Sequence, residues 1–174
     1  GRPARADAAY HKVVASADLL LPDGIGLFWA SQVARWRGTF GWRIKSYLSL
    51  FLVLFNPRWL YRDLGEKICG SDFFWEICAF LEVEGKSVFL FGGGAGVAAK
   101  NVELLRVRFP HLVIVGETGS NTEAIGLIQK TKPDFIFLAL GGPKQDFIGK
   151  QILEECPSVR VAIGVGGTFD FNAG

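Results

Sequence analysis

Short, mainly apolar runs recur along this chain, and most of them stop at glycine. They are Asp18–Leu21, closed by Pro22, Asp23 and Gly24; Ser87–Phe91, closed by Gly92, Gly93 and Gly94; Leu112–Val115; Asp134–Leu140, closed by Gly141, Gly142 and Pro143; and Val159–Val165, closed by Gly166 and Gly167. Runs of this length without polar alternation predict strands buried on both faces. Longer mixed stretches lie between them. The pattern predicts helices over Ile25–Arg35, over Gly96–Arg108 with Pro110 as a stop, over Thr122–Lys130 and over Lys144–Glu155. A further aromatic helix, Phe73–Leu81, follows Ser71 or Asp72 as N-cap. Strand and helix alternate throughout, which predicts a Rossmann-like α/β fold: a mostly parallel sheet with helices on both faces.

In open parallel sheets, ligands bind beyond the carboxyl ends of the strands. The fold therefore predicts that Asp23 and the loops Gly92–Gly96, Gly141–Gln145 and Gly166–Asp170 meet at one crevice. One segment interrupts the rhythm. Trp42–Tyr61 has an apolar centre, Tyr47–Phe55, of nine residues. That is well short of the roughly 20 residues a spanning helix needs. Arg43, Lys45, Arg58 and Arg62 flank it, with Trp42, Trp59 and Tyr61 at its ends. Bases and aromatics around a short apolar run suit an interfacial segment; a buried helix or a contact between copies suits it equally.

Composition narrows the classes. The chain has 174 residues, enough for one domain with a sizeable core. Its net charge of +2 gives no basis for nucleic-acid binding. The three cysteines, Cys69, Cys78 and Cys156, form neither a disulfide framework nor a CxxC pair, and only two histidines are present. No metal site and a reducing, cytoplasmic compartment are therefore expected. The first residues contain no apolar core of a signal peptide. The chain begins without Met and stops at Gly174 just after a strand-like run, so a longer protein is expected at both ends.

Several residues stand where chemistry is done. Gly92-Gly93-Gly94-Ala95-Gly96 between a strand and a helix can bring backbone close to a diphosphate at a helix N-terminus. It is neither a strict GxGxxG nor a P-loop, and a tight turn explains it as well. Glu117, just after the third run, occupies the place where dinucleotide-binding folds grip a ribose hydroxyl; it also reads as a surface acid. Asp23, on a turn after a strand, can be a general base or a capping aspartate. Lys144 can neutralise a diphosphate, and Gln145 can hydrogen-bond a sugar or base. Lys67 is a further phosphate contact. Asp170 is a second carboxylate, in a loop whose Phe169 and Phe171 can instead simply pack inward.

In this order, the stretches ADLLLPDGIGL (17–27), EKICGSDFFWEI (66–77), VFLFGGGAGVA (88–98), FPHLVIVGETG (109–119), PDFIFLALGGPKQDF (133–147) and VAIGVGGTFDFNAG (161–174) closely resemble the WecG/TagA/CpsF glycosyltransferases. The resemblance covers nearly the whole chain and implies a single core domain, 1–174, with an apolar insertion at about 38–64. It implies a bacterial enzyme moving N-acetylmannosamine, or a related sugar, from UDP to a polyprenyl-diphosphate-linked sugar. The reaction would be a single inverting displacement, without a metal, at the inner face of the cytoplasmic membrane. Its products would be wall teichoic acid or related surface polysaccharides.

The family's proposed base falls on Asp23, and its PKQ glutamine on Gln145. The substrate-binding set then comprises Gly24, Lys67, Ser71, Asp72, Gly92, Gly93, Gly94, Gly142, Lys144, Gln145, Gly166, Gly167 and Asp170. Lys67 stands where the family usually has Arg, which keeps the charge but loses the bidentate fork. Asp146 stands in place of Glu. The family's upstream Thr-x-Asn motif and its Arg-rich tail are not in this chain. Two other readings stay open: a nicotinamide-dependent oxidoreductase, and a non-catalytic piece that binds nucleotide sugar or lipid. The apolar segment and the aromatic helix each leave room for a homo-oligomer.

Overall fold

Ser87–Gly92 is a strand in which every residue after Ser87 is buried, and it lies near the centre of a parallel sheet. The computed structural model describes residues 2–20 and 70–174. In chain order these form α1 (Arg2–Ala15), α2 (Gly70–Val83), β1 (Ser87–Gly92), α3 (Val97–Arg108), β2 (Val113–Thr118), α4 (Asn121–Thr131), β3 (Phe135–Ala139), α5 (Lys144–Glu155), β4 (Val161–Gly164) and α6 (Thr168–Ala173). The sheet order is β2-β1-β3-β4, and every pair is parallel. Residues 1–18 and 70–174 belong to one compact unit.

Alternation along β1 and β3 divides the core in two. Val88, Leu90 and Phe137 face α2, α3 and α6, where Phe74, Leu81, Leu105 and Phe169 are buried against them. Phe89, Phe91, Ile136 and Leu138 face α4 and α5, meeting Ile128 and Ile152. Helices thus cover both faces, as the apolar runs predict. Phe74 anchors the first layer, with edge contacts to Phe137 at 4.8 Å and Phe169 at 5.8 Å between ring centroids. Burial pushes the Cys78 thiol up to about 12, despite the nearby Arg108, so this cysteine is a packing residue. Cys156 is raised by the same cause.

Five expectations are corrected. Asp18–Leu20 is not a strand; Leu19 and Leu20 are exposed, and among the described residues no strand pairs with them. An apolar run signals burial without supplying the partner that burial needs. The chain start, left unassigned above, is the helix α1, consistent with its alanines, the best helix formers. β2 runs on to Thr118, so Glu117 lies inside the strand, paired with Leu90, rather than beyond it. Residues 168–170, expected in a loop, open α6 instead. Ser71 and Asp72 lie within α2 rather than capping it. The edge strands β2 and β4 are only half-buried, so full burial holds for β1 and β3 alone. The predicted helix Ile25–Arg35 and the apolar segment 38–64 lie outside the described residues.

Candidate active site

The chain reverses its direction of winding at the centre of the sheet. From β1 it moves outward to β2, then returns past β1 to β3. The helices after β1 and β3 lie on opposite faces, which opens a crevice between these two strands at their carboxyl ends. The strand ends come very close there. Gly93 N–H donates to the Ala139 carbonyl at 2.8 Å. Gly92 has φ +120°, and a Cβ on it would stand 2.4 Å from Ala139 O. Only glycine fits, because both the backbone angle and the space exclude a side chain.

Above this point lies a cleft of about 390 Å³. Its floor is Gly93, Ala139, Leu140 and Gly141; its sides are Gly119 and Asn121, Lys144, and Gly166, Gly167 and Asp170. Three of the four loops expected to meet do meet here. Asp23, Gly24 and Lys67 lie outside the described residues. The fourth described loop, from β2 to α4, was not among the sequence candidates. Its Gly119-Ser120-Asn121 turn after a strand carries the same signal as the others and could have been read by the same rule.

The remaining candidates sit beside the cleft wall rather than on it. Gly92 is buried beneath it, and Gly94 and Gly142 flank it. Gln145 is half-buried and turned away: its Oε1 accepts a hydrogen bond from Gly166 N–H at 3.2 Å. Asp146 faces α1, where its charge holds the Tyr10 phenol above its ordinary range; Tyr10 also meets Phe147, with ring centroids 6.2 Å apart. Asp72 lies in the first turn of α2 and is not among the residues that line the cleft. Phe169 is fully buried, Phe171 is exposed, and Asp170 between them reaches the cleft, so that segment both packs and presents a carboxylate.

The chemistry of the wall is that of an anion site with a polar end. α4 begins at Asn121 and α5 at Lys144, both on the cleft. Each helix places its positive dipole end there, although at α5 the Gln145 N–H already donates to the Gly141 carbonyl at 3.0 Å. Lys144 adds a full positive charge. The bare glycines allow a ligand to approach the backbone closely. Asp170 supplies an acceptor for hydroxyls. Among the described residues no group of three or more His, Cys, Asp or Glu side chains could hold a metal ion, and no helix is long and apolar enough to cross a membrane.

Comparison with known proteins agrees with this geometry. Two relatives, from Bacillus spizizenii (strain W23) and Bacillus subtilis (strain 168), are both named N-acetylglucosaminyldiphosphoundecaprenol N-acetyl-beta-D-mannosaminyltransferase. The first is 28% identical over 100% of this chain and 59% of its own length. The second is 27% identical over 97% of this chain and 57% of its own length. The chain thus spans under three fifths of the relatives it matches. The model of the Glycosyl transferase WecG/TagA/CpsF family matches residues 49–174, which include every described strand and the whole wall of the cleft; the chain belongs to that family.

Proposed function

We propose that this chain is the nucleotide-sugar-binding part of an inverting glycosyltransferase. It moves N-acetylmannosamine, or a similar N-acetylhexosamine, from UDP to a polyprenyl-diphosphate-linked sugar. The observation that carries this reading is the cleft at the β1/β3 switch point. It is glycine-floored and edged by two helix N-termini and Lys144, in a chain of the WecG/TagA/CpsF family. The relatives' names supply the sugar and the diphosphate-lipid acceptor.

In this reading the donor diphosphate lies against the starts of α4 and α5, with Lys144 as counter-charge. Gly93, Gly166 and Gly167 let the ligand lie on the backbone. Asp170 accepts hydrogen bonds from ribose or sugar hydroxyls. Asp23 is the base: it takes the proton of the acceptor hydroxyl as that oxygen attacks the anomeric carbon. The bond from that carbon to UDP breaks on the opposite side, and its electron pair leaves on the diphosphate. A single displacement inverts the anomeric centre. Lys144 and the helix ends stabilise the leaving group where charge develops, without a resident metal. Because the acceptor is lipid-linked, the protein works peripherally at the inner face of the cytoplasmic membrane, with Trp42–Tyr61 toward lipid, in synthesis of teichoic acid or another surface polysaccharide.

Calorimetric titration of the chain with UDP, UDP-N-acetylhexosamines and NAD(P) tests the assignment. Saturable uptake of the uridine compounds is expected; uptake of NAD(P) alone rejects the enzyme class. In a protein of the relatives' full length, Asp23→Asn should abolish transfer while leaving UDP affinity unchanged. Undiminished turnover would remove Asp23 as the base.

A further inference from the structure

Residues 165–173 carry one wall of the cleft from the end of β4 into α6, and side chains from helices on both faces of the sheet hold them. From α5, Gln145 Oε1 takes the Gly166 N–H at 3.2 Å. The same side chain lies against bare backbone at Gly164, where a Cβ would stand 2.8 Å from Gln145 Nε2 and 3.0 Å from its Cδ. From α3, Asn101 Nδ2 donates to the Phe169 carbonyl at 2.9 Å and to the Val97 carbonyl at 2.9 Å. Asn101 Oδ1 accepts from Asn172 Nδ2 at 3.2 Å. Lys100 Nζ donates to the Ala173 carbonyl at 2.7 Å.

Both amides have a determined orientation. Only the oxygen of Gln145 can accept from an N–H, so its NH₂ cannot be the group facing Gly166. Asn101 is 0% exposed, and both of its N–H donors and its oxygen are engaged. A buried polar network satisfied at every member tolerates few alternative alignments of the elements it joins. α3 starts directly after the glycine turn at the cleft floor, and α5 starts at Lys144. The elements that carry three parts of the wall are therefore tied to one another by side chains that do not line it.

We infer that Gln145 and Asn101 are positioning residues that clamp the Gly166–Asp170 wall between α5 and α3. The consequence for ligand binding rests on the proposed function; the clamp itself does not. Gln145, which the family resemblance makes a substrate contact, acts in this inference through the Gly166 amide. Asp170 and the two glycines are then held in place before the ligand arrives, and binding does not have to order them.

Hydrogen exchange read by mass spectrometry on the whole chain, with and without UDP, tests the clamp. In Gln145→Ala, exchange of the Gly166–Asp170 amides should rise about tenfold, the effect of one lost hydrogen bond. Exchange in β1 and β3 should stay unchanged, and UDP affinity should fall severalfold. Gln145→Glu keeps an acceptor at the same place and should restore slow exchange, whereas Gln145→Leu, of similar volume but without an acceptor, should not; a general packing role predicts slow exchange in both. Asn101→Asp removes both donors at the other end and should speed exchange from Phe169 to Ala173. If Asn101→Asp fails to fold, the Gln145 variants decide. UDP uptake by the unaltered chain, together with unaltered exchange and affinity in Gln145→Ala, overturns the clamp. Fast local exchange in Gln145→Ala, in a chain that takes up no UDP, keeps the clamp and sinks the nucleotide assignment instead.

Discussion

The two ends of the sheet are built from different materials. At the amino end, side chains fasten the strands. Ser87 N–H and Ser87 Oγ both donate to Asp134 Oδ2, at 3.0 and 2.7 Å. Asp134 N–H donates back to Ser87 Oγ at 2.9 Å. The Arg160 backbone N–H adds a main-chain bond by donating to the Asp134 carbonyl at 2.9 Å, and Glu82 Oε1 accepts the His111 backbone N–H at 2.7 Å. At the carboxyl end, glycine backbone forms the floor, and the stabilising side chains stand behind the wall. A ligand site needs bare backbone that a ligand can approach; a structural closure needs its polar groups satisfied from within. The same parallel strands serve both, because strands that all run one way start every following helix at the same, carboxyl end.

The largest effect should come from filling the floor. Gly92→Val places a branched side chain at φ +120° and 2.4 Å from Ala139 O. Destabilisation of about 3 kcal/mol or more is expected in urea unfolding. A neutral result would mean that β1 and β3 do not approach as closely as the cleft requires.

At the other end, Asp134→Ala removes the acceptor for two donors and should cost about 2 kcal/mol at pH 7 while leaving UDP binding intact. Asp134 is held below the ordinary carboxylate range, chiefly by its hydrogen bond from the Ser87 hydroxyl. Its contribution should therefore be complete above a pH of about 4, the unfolded value, and be lost as pH falls through the lower folded value. The stability difference between wild type and Asp134→Ala should narrow in acid. A difference that is constant with pH would show that the charge on Asp134 contributes nothing.

A smaller change is expected at the cleft edge. Lys144→Ala should weaken UDP about tenfold, with little change in Tm because the side chain is exposed. Equal affinity would take the diphosphate away from α5. The smallest effect belongs to Arg160. Its Nε is 3.9 Å from Asp134 Oδ1 and its side chain is 72% exposed, so Arg160→Ala should cost about 0.5 kcal/mol or less in urea unfolding. A larger loss would mean that the amino end depends on an ion pair rather than on the Ser87–Asp134 bonds.

Much of this contrast was legible in the chain. Val88–Phe91 and Phe135–Leu140 are apolar at every position, and a strand can be so only if both its faces are covered. The glycines after each run marked the strand ends, and the general behaviour of parallel sheets predicts that those ends share one rim. Gln145 was readable as a functional position, though not which group it addresses. Asn101 gave no signal, since a polar residue in a helix reads as solvated until another helix covers it. Thr168-Phe169-Asp170 read as a loop because its glycine neighbours obscure a six-residue helix, which packing on α3 stabilises more than propensity does.

The amino-acid sequence alone determined the alternation of helix and strand from Phe73 to Val165, the all-round burial of the two central strands and the glycine punctuation. These depend on local side-chain chemistry and on periodicity. Tertiary structure alone decided that β3 returns to lie beside β1, that Glu117 stays within its strand, and that Gln145 and Asn101 both reach the same wall. Each of those depends on which distant segment supplies the partner, and a one-dimensional pattern of apolar and polar residues carries the demand for a partner without its address.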